Sequence, residues 1–162
     1  MPLCLTLTRC LLASLPPCLL KKQNKMKVFL GGTCNKSQWR EQLIPLLKID
    51  YFNPVLDGPW TTAAMEEEIR QRASCDFVLY VLTPRMNGLY SIAEVVDDSN
   101  KRPQKTVFLV LEEDFNDDGE PIGFNAFQLK SFRAIERMVS ENGAFVAKTL
   151  EEVAVYLNGS EA

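Results

Sequence analysis

The chain has 162 residues, 46% of them hydrophobic and 24% charged, with five cysteines, no histidine and a net charge of −3. That length suits one domain with a single core, and the lack of histidine excludes Ser-His-Asp and Cys-His nucleophile pairs and the commonest zinc ligand. Arg9, Lys21, Lys22 and Lys25 meet no acid in the first 25 residues, so residues 26–162 carry −7, and an acidic body without a basic stripe speaks against nucleic acid as a partner.

Residues 1–25, MPLCLTLTRCLLASLPPCLLKKQNK, are apolar but broken by Arg9 and Pro16-Pro17. No run there is long enough to span a bilayer. The basic cluster follows the apolar stretch rather than preceding it, which is the reverse of a secretory signal. The segment reads as a disordered or non-native extension ahead of Met26, with no stable membrane association, and its deletion is expected to leave fold and activity intact. The cysteines form no C-x-x-C pair and are odd in number. This points to a reducing, cytoplasmic setting, with Cys34 and Cys75 expected as small buried residues.

From Met26 to about residue 160 the pattern is that of one domain. KVFLGG (27–32) predicts a buried strand ending in two glycines, and KSQWREQLIPLLK (36–48) a helix interrupted at Pro45. DYFNP (50–54) is a short strand, and TTAAMEEEIRQRASC (61–75) a helix capped by Thr61 or Thr62. DFVLYVLT (76–83) is the central-strand candidate, because strands buried on both faces lose polar alternation. SIAEVVDDSNKR (91–102) is a helix and KTVFLVLE (105–112) a further buried strand. NAFQLKSFRAIERMVSENG (125–143) is an amphipathic helix stopped by Asn142-Gly143. AFVAK (144–148) and TLEEVAVYLN (149–158) supply the last strand and helix.

Five strands alternating with helices predict an α/β fold: a doubly wound sheet of about five parallel strands, flavodoxin-like in order and flanked by helices. Ligands of such sheets lie beyond the carboxyl ends of the strands, at the switch in strand order. Four post-strand segments therefore hold the candidate chemistry.

GGTCN (31–35) lets backbone approach a phosphate or sugar at Gly31 and Gly32, or simply makes a tight turn. It matches neither the P-loop nor the dinucleotide fingerprint. NPVLDGPW (53–60) offers Asn53, Asp57 and Trp60, an aromatic near a carboxylate that suits a base or a sugar. EEDFNDDGEPIGFN (112–125) has Asp114, Asn116, Asp118 and Gly119 at calcium-loop spacing, but Asn125 stands where the loop needs glutamate and Pro121 interrupts it. An acidic surface loop is the expectation there. In NGLYSIAEVVDD (87–98), Ser91 and Glu94 form an S-x-x-E pattern. The pair reads either as a capping box or as a helix cap followed by a carboxylate nucleophile that the helix N-terminus keeps ionised.

Taken together, KVFLGGTCN, YFNPVLD, the stretch from EEIRQRASCDFVLYVLTPRMNGLYSIAEVVDDSNKR to KTVFLVL, and TLEEVAVYLN resemble the nucleoside 2-deoxyribosyltransferase-like family over nearly all of residues 26–158. The resemblance implies a flavodoxin-like fold and a nucleophilic glutamate, matched by Glu94, that attacks C1′ of a 2-deoxynucleoside to give a covalent deoxyribosyl-enzyme. A second base or water then takes the sugar. Asp76 matches the aspartate at the start of the third strand, and Gly31 and Gly32 match the turn that approaches the ligand. Asp57 would protonate the leaving base or bind the sugar hydroxyls. The implied partner is a small nucleoside or nucleotide. No cofactor or metal is called for. A homodimer or larger assembly is implied because neighbouring subunits share the site in that family, Asn125 being the candidate shared residue and Phe124, Phe127 and Phe132 candidates for interface or core. The sequence departs from the pattern at Gly88, where the family has an acid. It also departs at Val95-Val96 after the glutamate and at Gly-Gly-Thr-Cys in the first turn. An N-glycoside hydrolase acting on an NAD-like nucleotide and a non-catalytic nucleotide-binding module are the alternatives.

Overall fold

The computed structural model of the protein describes residues 25–56, 58–59 and 61–159. Residues 1–24 of the N-terminal extension, Asp57 and Trp60 lie outside the described residues.

Five parallel strands form the main sheet: β1 (Lys27–Gly32), β2 (Asp50–Phe52), β3 (Phe77–Leu82), β4 (Thr106–Val110) and β7 (Phe145–Ala147), in the order β2-β1-β3-β4-β7. This is the flavodoxin-like order, and its switch point lies between β1 and β3. The helices are α1 (Trp39–Leu43), α2 (Thr62–Ser74), α3 (Tyr90–Lys101), α4 (Ala126–Glu141) and α5 (Leu150–Leu157). Pro45 shortens the expected first helix: without a backbone N–H it closes α1 into a 3-10 turn over Ile44–Leu46. Thr61 caps α2 by accepting from Ala64 N at 3.2 Å, and Gly143 ends α4 at φ +94°.

Alternation along the strands divides the core in two. Val28, Leu30, Leu79, Val81, Val107 and Leu109 face Trp39 and Leu43 of α1 and Val153 and Leu157 of α5. Phe29, Val78, Tyr80, Leu82 and Phe108 face Val95 of α3 and Phe132 and Val139 of α4. Each such side chain, once buried, contributes on the order of 1.5–3 kcal/mol. Phe124 and Phe132 pack together with ring centroids 4.5 Å apart, whereas Phe127 is 86% exposed. Helix α2 is the exception among the helices, for it has no buried residue.

The acidic segment after β4 is more ordered than a surface loop. It forms an antiparallel hairpin, β5 (Glu113–Phe115) with β6 (Pro121–Gly123). Asn116 Oδ1 accepts from Asp118 N at 3.0 Å and Glu120 N at 2.8 Å, so the calcium-like spacing builds a turn. Among the described residues no group of three or more His, Cys, Asp or Glu side chains could hold a metal, and no helix is long and apolar enough to cross a membrane.

Candidate active site

Two loops leave the carboxyl ends of β1 and β3 side by side and are tied together. Asn35 Nδ2 donates to Arg85 O at 3.0 Å, and Arg85 Nε donates back to Asn35 O at 2.6 Å. Arg85 also donates to Phe115 O at 2.6 Å and pairs with Asp117, which fastens the hairpin to the same loops. Beneath the first loop, Arg40 is 2% exposed and gives its guanidinium to Leu30 O (2.8 Å) and Thr33 O (2.7 Å). Trp39 Nε1 donates to Thr33 O as well, at 2.9 Å. Carbonyls at the end of a strand thus find donors on the next helix, and burial lowers the pKa of Arg40 from its ordinary value.

Between the loops, at the switch point, lies a crevice of about 170 Å³. Its walls are Gly32 to Asn35 on one side and Leu82, Met86, Asn87, Gly88, Tyr90 and Ser91 on the other. Cys34 also lines a neighbouring 340 Å³ cavity with Ser37, Arg40, Asn53 and Val55. Cys75 is buried as expected, but Cys34 is exposed, because it occupies the loop between these two spaces rather than the core.

Gly32 borders the crevice, but both glycines are required by β3. A Cβ on Gly31 would lie 2.9 Å from the rings of Phe29 and Tyr80, and one on Gly32, at φ +110°, 2.0 Å from Val81 O. Asn53 turns its side chain onto Val55 N at 3.1 Å at the edge of the neighbouring cavity. Gly88 stands in open space, and nothing lies within 4 Å of where its Cβ would be.

Ser91 corrects the expected capping box. Helix α3 begins a residue earlier, at Tyr90, with Leu89 in the N-cap position and no side-chain cap. Ser91 is already inside the helix and cannot hold the extended backbone of a cap. The Asn125–Gln128 pair makes the capping box instead. Asn125 Oδ1 accepts from Phe127 N and Gln128 N at 3.0 Å, and the side chain is engaged at the start of α4 rather than in the crevice of its own chain. Asp76 lies away from the crevice. It precedes β3 at the amino edge of the sheet, where its Oδ2 accepts from Lys27 N at 2.8 Å. A six-residue strand, roughly 20 Å long, separates it from the crevice.

Glu94 lies one helical turn below Ser91, on the same face of α3, and is 9% exposed. Its Oε1 is 3.2 Å from Arg72 Nη1, from α2. Burial pushes its pKa up to about 7; Arg72 opposes the shift, while Glu68 and Asp98 add to it. This corrects the expectation that the helix end holds Glu94 low. Arg72 Nε reaches Tyr80 Oη at 2.7 Å and Asp98 Oδ2 at 3.0 Å, and Tyr80 Oη donates to Asp98 Oδ2 at 2.6 Å. Burial works against the charge of Arg72, but Tyr80, Asp98 and Glu94 together raise its pKa. The Tyr80 phenol is held above its ordinary value, first by burial and then by its bond to Asp98.

Sequence reading missed Arg72, Tyr80 and Asp98. Tyr80 sits in an apolar run and Asp98 lies 18 residues away, so no local spacing joins them. The one available hint is a hydroxyl in a strand otherwise made of aliphatic and Phe residues.

A flavodoxin-like sheet with a crevice at its switch point, and a buried carboxylate one turn of α3 below it, has the architecture in which small ligands bind beyond the strand ends. The model of the family described as "nucleoside 2-deoxyribosyltransferase like" matches residues 25–114, and the chain belongs to that family. No curated protein matches the sequence. The family points to glycosyl transfer on nucleosides as the related chemistry.

Proposed function

We propose that the protein cleaves the N-glycosidic bond of a 2-deoxynucleoside or its monophosphate, by transfer or hydrolysis, with Glu94 as the nucleophile. The observation that carries this reading is the buried Glu94 carboxylate, its pKa pushed up to about 7, one turn below the switch-point crevice. In the proposed reaction a Glu94 oxygen bonds to C1′ as the bond from C1′ to the base nitrogen breaks, and the base leaves with that electron pair. The base takes a proton from water or from a second carboxyl group, for which Asp57 is the candidate. A second base or water then attacks C1′, and the ester to Glu94 breaks to restore the carboxylate.

Burial suits this step. It penalises the free carboxylate, and ester formation removes that charge, so the covalent intermediate gains relative to the resting enzyme. In the transition state the same carboxylate faces positive charge developing on the sugar, as in retaining glycosidases. A chain without histidine has all it needs for this sequence. A homodimer or larger assembly belongs to the same proposal, with Leu89 and Tyr90, 71% and 75% exposed beside the crevice, on the face it would cover.

A non-catalytic nucleotide-binding module is the second reading, favoured by Gly88, which leaves the crevice wall without the acid of the family pattern. Incubating the protein with deoxynucleosides, their monophosphates and NAD, each with a second free base, and assaying released and exchanged base separates the readings. Exchange or release that disappears in Glu94→Ala supports the enzyme. Full activity in that variant sinks the nucleophile, and binding without turnover supports the module.

A further inference from the structure

Arg72 lines neither the crevice nor the neighbouring cavity, yet every nitrogen of its guanidinium is engaged, two of them on Glu94. Nη1 pairs with Glu94 Oε1 at 3.2 Å, and Nη2 donates to the Glu94 carbonyl at 3.3 Å. The same group therefore grips side chain and backbone of one residue. On its other edge Nε meets Tyr80 Oη and Asp98 Oδ2. Arg102 closes the ring: it pairs with Asp98 Oδ1 at 2.9 Å and donates to Arg72 O at 2.8 Å. Tyr80 and Asp98, 0% and 2% exposed, are fixed by the sheet and by α3.

We propose that Arg72 is the positioning residue of this site: it orients and charge-balances the Glu94 carboxylate, and Tyr80 and Asp98 brace it for that task. This rests on the reading of Glu94 as nucleophile. The groups facing Glu94 fix the sign of the effect. From α2 come Arg72 and Glu68, from α3 come Asp98 and, within 3.9 Å of Arg72, Asp97, and from β3 comes Tyr80. Arg72 is the cation paired directly with Glu94, while Arg102 is turned to Asp98. Removing Arg72 leaves the carboxylate among acids in a buried place, and its proton affinity must rise. Lysine cannot substitute fully, because three directions in one plane are in use and an ammonium supplies a point charge.

The arrangement predicts more than a structural strut. A strut would change stability and leave kcat unchanged in a folded Arg72→Lys variant, which keeps the charge. Positioning ties the Glu94 titration and the chemical step to one side chain that never touches substrate.

The test uses the full chain with ¹³C-labelled glutamate carboxyls, Glu94 being assigned by the signal missing from Glu94→Gln. Its titration is followed by NMR, and base exchange or release is measured across pH. In Arg72→Gln the Glu94 midpoint should move up by a unit or more from its value near 7, and the acid limb of kcat should move with it. kcat should fall at least tenfold while KM changes less than threefold. Arg72→Lys, which keeps the charge and guards against a misfolded Gln variant, should shift the midpoint less but still lose kcat. An unshifted or lowered Glu94 midpoint in folded Arg72→Gln overturns the proposal, as does wild-type kcat in Arg72→Lys. If Glu94→Gln keeps full activity, the nucleophile reading fails, while the NMR titration still reports whether Arg72 governs the carboxylate.

Discussion

Replacing Glu94 by glutamine tests the electrostatic account without any substrate. In the unfolded chain this carboxyl titrates near 4.5, and in the folded protein burial moves it to about 7. The folded state therefore holds more protons than the unfolded state between those values, so stability falls as pH rises through that window. The stabilisation associated with the protonated group is fully present below about 4.5 and lost by about 7. At about 1.4 kcal/mol per unit, the loss is on the order of 3 kcal/mol, or somewhat less with local relaxation. Glutamine has the same shape and no titration, so the variant lacks this slope. Urea unfolding of both proteins from pH 4.5 to 8.5 should show the stability of the variant relative to wild type rising by about 2–3 kcal/mol, worth roughly 5–10 °C in Tm. Any constant offset from the lost Arg72 contact cancels in that difference. A gap that stays flat with pH, or one that closes as pH rises, would refute the claim that burial dominates at Glu94.

Ser91→Ala should change stability by less than about 0.5 kcal/mol, because Ser91 caps nothing, whereas Asn125→Ala should cost about 1 kcal/mol by opening the α4 box; both are read by denaturant unfolding. Gly32→Ala should cost at least about 3 kcal/mol or abolish folding, since its Cβ meets the β3 backbone. Gly88→Asp should fold with a Tm within about 2 °C of wild type and place a carboxylate on the crevice wall. A marked loss of Tm in that variant would show that Gly88 is not in open space.

The sheet was legible because burial on both faces leaves continuous apolar runs, and DFVLYVLT and KTVFLVLE lie at its centre, on either side of the β3–β4 pairing. The helix stop at Asn142-Gly143 and the cap at Thr61 were legible for local reasons, since each works within a few residues. Ser91 misled for the same reason: S-x-x-E is a local pattern, and whether it caps depends on where the helix starts, which Leu89 and Tyr90 decide. The aspartate at position 76 does open its strand as the sequence indicates, and that start is the edge of the sheet away from the crevice. Arg72, Tyr80 and Asp98 come from two helices and a strand, and only the fold brings them together. The glycines of the first turn stood between two uses, and packing requires them in either case, Gly31 against Phe29 and Tyr80 and Gly32 against Val81.

The fit of Gly31 beneath the Tyr80 ring links two positions that a family alignment would treat as separate. The same phenol that fills the space over residue 31 carries the hydroxyl that steadies Arg72, so a side chain at one position and an aromatic at the other compete for one volume. Relatives with a bulkier residue at the place of Gly31 should carry a smaller one at the place of Tyr80. Those sequences must then hold the carboxylate that matches Glu94 by some other means, and this pair of columns would sort the family by how its members keep that carboxylate in place.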